Sequence, residues 1–455
     1  MTRTKGLNML IPLPRENSTA FISKSGEERL LEALLWDGLR NQADLAGAPS
    51  LTQERLVELT GLSRNSVKSY TSTKLRSVLE PGGPLALQPE AGYALGVDFA
   101  RTHKVRVALV NLRGHWGDGG MLPQITEVDD EPQPSASDTL ENAANRIWEV
   151  MGNRKIKPSE LVGVGIGIAT PSVPDKSAGN AAFGHWQRWA SPGPLLKNAL
   201  NEKWQAQGVG SDAWSSLDFV ADNDTNLSAI ADHLWGGSPA YNCGLFVKWN
   251  SSVRAALILD GCLYTGSAGF AGELPHMKIE DRDEECGSES CTVEGKKGCI
   301  YGLAPIEKLG DNDLAGTLQA DRIIEKAAEE GDQGEKVRKA LKDAAWGIGR
   351  AIAPLAVGIN AETIVIGGAL GARAYPQVLE SLRAGVESCS RTAEFAVTNS
   401  TIRNRGTVRG AATLALLKFA PGYLKRKATA PSGNENGHGR QRPRKARQQV
   451  TALGG

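Results

Sequence analysis

The sequence predicts an α/β protein of two or three domains, the first a small helical module, on three observations. Beyond Tyr93, buried apolar strands alternate with amphipathic helices, the pattern of an α/β domain with a mixed sheet. Between Leu51 and Leu75, two short helices meet at a glycine. A chain of 455 residues also exceeds what one hydrophobic core organises.

Composition narrows the class. With 40% hydrophobic and 23% charged residues, the chain is an ordinary globular one rather than disordered or membrane-embedded. A net charge of +1 names no partner by itself. No apolar run reaches the roughly 18 residues of a transmembrane helix, so no membrane partner is expected. The N-terminus, MTRTKGLNMLIPLPRENST, lacks the sustained apolar core of a secretory signal. Cysteines outside a secretory context are expected to be reduced thiols, and the location cytoplasmic.

Residues 1–24 show no periodicity and read as a loose arm. From Ser25 a helix is expected, with Leu30, Leu31, Leu34 and Leu35 on one face and its end near Gly38. In Leu51–Leu75, Thr52 is a candidate N-cap, Leu56 and Leu59 form an apolar face, and Gly61 supplies a tight turn over Leu62. Ser63 then caps a second helix with Val67 turned inward. This is a helix-turn-helix arrangement whose outward residues are Arg64, Asn65, Ser66, Lys68 and Ser69. Short donors and cations there suit phosphate oxygens and base edges in a major groove, so operator DNA is the expected partner. A helical hairpin with a solvated polar face is the bland alternative. Pro81–Pro84 and LALQPEAGYAL fit a turn and short strands, as in a wing. Residues 25–93 thus read as a winged helix-turn-helix domain.

In the α/β part, strands are expected in GVDFARTHKVRVALV, in LVGVGIGIATP up to Pro171, and at Leu217–Ala221, Cys243–Trp249, Ala255–Leu259 and Thr363–Ile366. Helices are expected around Asp138–Gly152, Thr225–Leu234, Ala320–Glu330, Glu335–Val357 and Val408–Phe419. Two polar clusters stand out. Ala221–Asn226, ADNDTN, follows an apolar strand, where open α/β sheets bind ligands. Asn223 and Asp224 there suit sugar hydroxyls, and a carboxylate can deprotonate one; helix capping is the alternative. Gly269–Cys299 brings Glu273, His276, Cys286, Cys291 and Cys299 into one Gly- and charge-rich loop. One histidine and three cysteines form a complete donor set for tetrahedral, structural zinc; three reduced cysteines on a loop are the alternative. Beyond Tyr423 eight cations face one acid, Glu435, so residues 423–455 read as a basic disordered tail.

The order of helix-turn-helix, GVDFARTHKVRVALVNLRG, GVGIGIATP, ADNDTN, LILDGCLYTGSAGFAGELPH, a Cys-bearing loop and IVIGGAL resembles the ROK family of repressors and sugar kinases, from about Glu27 to Phe419. The resemblance implies an actin-like, two-lobed sugar-kinase fold over residues 94–422, with the ligand between lobes. It places Asn223, Asp224, Glu273 and His276 on the sugar contacts, Asp224 at the kinases' catalytic base. It places His276, Cys286, Cys291 and Cys299 on the zinc site, although the family's Cys-x-Cys-x4-Cys is stretched here to Cys-x4-Cys-x7-Cys.

The phosphate elements depart from the kinase pattern. Asp-x-Gly-x-Thr becomes Asp98-Phe99-Ala100-Arg101-Thr102, and the Gly-rich second loop becomes Trp249-Asn250-Ser251-Ser252-Val253-Arg254. Side chains there crowd a triphosphate, so ATP is not expected and no enzymatic activity is assigned. AAFGHWQRW (181–189) offers His185, Trp186 and Trp189 for stacking on a sugar ring or for filling the lobe interface. The expected function is a DNA-binding repressor of carbohydrate metabolism sensing a sugar or sugar phosphate, as a homodimer or homotetramer. The rivals are an ATP-dependent sugar kinase with an accessory DNA-binding domain, and a regulator that no longer binds sugar.

Overall fold

The structure is a computed structural model that describes residues 24–40, 51–82, 85–101, 104–114, 126–129, 136–169, 192–208, 214–236, 241–250, 252–267, 269–274, 277–279, 297–300, 316–389, 395–402 and 405–429. Residues 1–23 of the expected N-terminal arm, Pro171, residues 181–189, His276, Cys286 and Cys291 lie outside them.

Helix α1 (Gly26–Arg40) opens with a reciprocal cap in which the Ser25 amide donates to Glu28 Oε2 at 2.9 Å and the Glu28 amide to Ser25 Oγ at 3.4 Å. Leu30, Leu31, Leu34 and Leu35 are buried as the periodicity requires, but the helix runs through Gly38 to Arg40. Helix α2 (Gln53–Thr60) is capped by Thr52 and stopped by Gly61 at φ 66°, a left-handed conformation glycine adopts without strain. Ser63 Oγ accepts from the Ser66 amide at 3.1 Å and starts α3 (Arg64–Ser69), which continues as a π-type turn over Tyr70–Lys74. Leu51 pairs with Leu85 and Leu79 with Leu87, both antiparallel. The wing's expected strands are therefore single bridges, extended by the Glu80 amide donating to Ala86 O and Gln88 to Val78 O.

Two five-stranded sheets follow. The first has strands β1 (Tyr93–Arg101), β2 (Lys104–Asn111), β3 (Thr126–Asp129), β4 (Leu161–Ile168) and β5 (Phe219–Asn223) in the order β3-β2-β1-β4-β5. The second has β6 (Gly244–Trp249), β7 (Val253–Leu259), β8 (Cys262–Tyr264), β9 (Thr363–Gly367) and β10 (Ala396–Asn399) in the order β10-β9-β6-β7-β8. In each, the first three strands are antiparallel and the last two join in parallel, so the two lobes repeat one topology. The first lobe carries α4 (Ala136–Arg154) and α5 (Pro192–Ala206), and α6 (Asp224–Trp235) leaves it at the end of β5. The second carries α7 (Gly316–Ala328), α8 (Asp332–Gly358) and α9 (Gly371–Cys389). The last helix, α10 (Gly406–Thr429), returns to the first sheet.

The alternating glycines of β4 explain how α10 lies so close. A Cβ on Gly163 would meet Phe419 at 2.4 Å, on Gly165 the Ala411 carbonyl at 1.8 Å, and on Gly167 Thr407 at 2.4 Å. Strand period 2 puts all three on one face, which becomes a groove for the helix. Helix α10 also corrects the expected tail. It runs past Tyr423 to Thr429, and Lys425 reaches Glu28 Oε1 at 3.4 Å while Lys427 donates to Ala91 O at 2.6 Å. These two cations are fastened to the N-terminal module; residues beyond 429 lie outside the described ones. One core joins Leu30, Leu34, Leu56, Val67 and Leu79 of that module to Ala94, Val110, Val408, Ala412 and Leu416. Among the described residues, no helix is long and apolar enough to cross a membrane.

Candidate functional site

Strand β5 delivers Asp222 and Asn223 to its carboxyl end, and α6 begins at the next residue. Asn223 caps that helix, its Oδ1 accepting from the Thr225 amide at 2.8 Å. The capping alternative is thus observed, alongside any ligand role. Asp222 Oδ1 accepts from the Asn223 amide at 2.6 Å and from Asn226 Nδ2 at 3.0 Å, which fixes the turn.

Asp224, 8% exposed, is gripped by two cations of the second sheet. Lys248 on β6 places Nζ 2.6 Å from Asp224 Oδ2 and donates to Asp224 O and Thr407 Oγ1, both at 3.1 Å. Arg254 on β7 places Nη1 3.7 Å from Asp224 Oδ1 and donates from it to Ala169 O at 3.1 Å. Burial alone would push the Asp224 carboxyl up. The charges of Lys248 and Arg254, with hydrogen bonds from Lys248 and Thr225, outweigh it and hold the carboxyl below its ordinary value.

Glu273 is brought to the second of these cations, its Oε2 3.3 Å from Arg254 Nε. Burial raises its carboxyl, Arg254 opposes that, and the Asp224 charge reinforces it. The chain reaches this place through Gly272 at φ 85°, whose carbonyl accepts from the Ala255 amide at 2.9 Å. A Cβ there would meet Ala255 O at 1.9 Å, so glycine is required. Two of the four expected sugar contacts, Asp224 and Glu273, therefore meet around Arg254; Asn223 is next to Asp224 in the chain and caps α6, and His276 lies outside the described residues.

Of the four expected zinc donors only Cys299 is described. It is fully buried and paired with Lys278 in an antiparallel bridge, flanked by the Ile279 amide donating to Gly298 O at 2.9 Å. That bridge sets Cys299 beside the segment that follows His276. Among the described residues no group of three metal-binding side chains occurs.

On the second phosphate loop, Asn250 Oδ1 accepts from the Ala369 amide at 2.6 Å. Gly368, at φ 89°, packs against Asn250 Oδ1 and Trp249 O. The Asn250 side chain is thus spent on the Gly368 turn.

On the helix-turn-helix, Arg64, Asn65, Lys68 and Ser69 are exposed, Ser66 half-buried and Val67 buried. Arg64 pairs with Glu54 of α2, both well exposed. The uninterrupted continuation through Lys74 adds exposed Ser72 and Thr73 one turn beyond Lys68 and Ser69. Lys74 is held by Glu27 at 2.7 Å. Sequence reading missed Lys248, Thr407, Ser72 and Thr73. A lysine inside the apolar strand LFVKW was the available signal, because lysine is almost never fully buried unless paired.

The xylose repressor of Bacillus subtilis is 22% identical over 385 residues, spanning 81% of this chain and 88% of that protein. A solved ROK family transcriptional regulator, described as a homolog of the E. coli MLC protein, shares the fold at a TM-score of 0.58. It is 18% identical and covers 89% of this chain and 99% of its own. A ROK family glucokinase from Streptomyces griseus, solved with glucose and AMPPNP, is 17% identical with a TM-score of 0.50. It covers 71% of this chain and 99% of its own. Residues 95–418 match the ROK family itself, and the chain belongs to that family.

Proposed function

We propose that this protein is a sugar-responsive transcriptional repressor of carbohydrate metabolism, cytoplasmic, acting on operator DNA through its N-terminal module as a homodimer or homotetramer. The observation that carries this reading is the single core that fuses a capped helix-turn-helix to the ROK domain. The likeness to a xylose repressor supports it, as does a regulator fold that accounts for more of the chain than the glucokinase fold does. Arg64, Asn65, Ser66, Lys68 and Ser69, with Ser72 and Thr73, form the DNA-facing surface. Asn223, Asp224, Glu273 and His276 hold the sugar or sugar phosphate.

Phosphoryl transfer is not proposed. A catalytic base must be open to the hydroxyl it deprotonates, whereas Asp224 is ion-paired at 2.6 Å with Lys248 and held ionised at low basicity. Zinc would be held by His276, Cys286, Cys291 and Cys299. The set leaves no open position, so its chemistry there is structural: it fixes the loop and orients His276.

A duplex selected from a random pool, titrated in mobility-shift assays at fixed salt, tests these assignments together. Arg64→Ala and Lys68→Ala each weaken binding by about 1–3 kcal/mol. D-xylose or D-glucose shifts the wild-type titration, and metal chelation abolishes that shift. Unchanged affinity in both variants would sink the interface. ADP release from ATP and a hexose that disappears in Asp224→Asn would instead establish the kinase.

A further inference from the structure

The two cations that Asp224 meets are on the second sheet. Asp224 begins α6 at the end of β5 in the first sheet, while Lys248 and Arg254 stand on β6 and β7 of the second. Lys248 reaches back to Asp224 and to Thr407 on α10, and Arg254 reaches back to Ala169, just past β4. Arg254 thereby crosses to the end of β4, while Lys248 meets the starts of α6 and α10, two helices that also share an apolar core with β6, β7 and β9. Lys248 is 8% exposed and its three acceptors lie 2.6–3.1 Å away. Thr407 Oγ1 also lies 3.4 Å from the Asp224 carbonyl, and Ser228 Oγ donates to that carbonyl at 2.7 Å. The α6 start and the α10 start are thereby one hydrogen-bonded unit with Lys248 at its centre.

Both helices end on the DNA-binding module. Trp235 Nε1, at the end of α6, donates to Leu39 O of α1 at 3.1 Å. Lys425, near the end of α10, contacts Ser25 Oγ at 3.1 Å and Glu28 at 3.4 Å. At 1.5 Å per residue, Thr407 and Lys425 are roughly 27 Å apart along α10.

We infer that Lys248 is a positioning residue: it clamps the start of α6 to the start of α10, and so ties Asp224 to the two helices that carry the DNA-binding module. This rests on the regulator reading. A ligand engaging Asp224 competes with Lys248 and so changes the restraint on Thr407. Asp224 and α10 are the two ends of one linkage, and Lys248 is the switchable link.

Three variants of the full chain test this by amide hydrogen exchange without ligand. Lys248→Met removes the charge but keeps the stem. Exchange within residues 224–230 and 406–412 is expected to rise about tenfold or more, and to rise in residues 24–32 as well. Lys248→Met combined with Asp224→Asn removes the stranded carboxylate. Thermal stability recovers, but exchange in 406–412 and 24–32 stays raised. Thr407→Val adds no charge and does not threaten folding; it raises exchange in 406–412 and 24–32 while leaving the Asp224 pair intact. If the double variant restores wild-type exchange, Lys248 serves only to neutralise Asp224 and the clamp is refuted. Wild-type exchange in Thr407→Val refutes the link to α10. Failure of D-xylose and D-glucose to shift the wild-type melting temperature counts against sugar sensing instead, since the exchange comparison contains no sugar.

Discussion

Asp224 and Asp232 sit on one helix, eight residues apart, and respond to opposite environments. Asp224 meets two cations and is held below its ordinary value. Its contribution to stability is present above the unfolded pKa and lost as pH falls through the folded one. Asp232 is 1% exposed; burial dominates, the Ser400 hydroxyl offsets only part, and its pKa rises from 3.8 to about 6. The folded chain therefore binds that proton more tightly. The associated stability is full below 3.8 and disappears as pH rises through about 6. Asp232→Asn, which cannot ionise, should exceed wild-type stability above pH 6 by up to about 3 kcal/mol, with the gap closing toward pH 4. Urea unfolding at several pH values measures this; a gap independent of pH would remove burial of charge as the cause.

The elements are placed by close backbone approach as much as by apolar side chains. Gly410 of α10 lies where a Cβ would sit 1.8 Å from the Leu227 carbonyl of α6, and neither backbone can yield without moving its helix. Gly410→Ala is expected to cost about 2–3 kcal/mol or more. Gly358, the last residue of α8, has nothing within 4 Å of an added Cβ. There the same substitution should raise stability by about 0.5–1 kcal/mol through helix propensity. Melting temperatures of the two variants, moving in opposite directions, are the check. The π-type turn after α3 belongs to the same scale. It keeps Ser72 and Thr73 in line with Lys68 and Ser69 while Leu75 and Val78 turn into the core.

For the whole molecule, the N-terminal module is not an appended bead. Leu30, Leu56, Val67 and Leu79 share a core with Val408, Ala412, Leu416 and Leu424 of α10. Arg113, beyond β2, pairs with Glu80, and Lys427 holds Ala91. A fragment of residues 24–92 leaves that apolar surface open, so it is expected to lack cooperative unfolding, whereas the full chain unfolds its module together with the first lobe. Circular dichroism melts of fragment and full chain test this. A sharp transition in the fragment would make the shared core dispensable.

What the sequence by itself determined is local and periodic. The caps Thr52 and Ser63, the turn at Gly61, the inward Leu56 and Val67, the alternation of strands and helices and the placement of Asn223 and Asp224 after a buried strand all follow from neighbours within a few residues. The boundaries were less legible. The expected helix ends at Gly38 and Phe419 give way to Arg40 and Thr429, because packing against the shared core extends helices past where propensity would stop them. What only the tertiary structure decided is the company each charge keeps. Lys248 is 24 residues from Asp224 in the chain, and Thr407 is 159 from Lys248. Nothing in local sequence brings them together; the fold of two similar sheets, with α10 returning to the first, does. That fold turns an aspartate with the position of a base into one half of a buried ion pair, in which Lys248 offsets the cost of taking the carboxylate out of water.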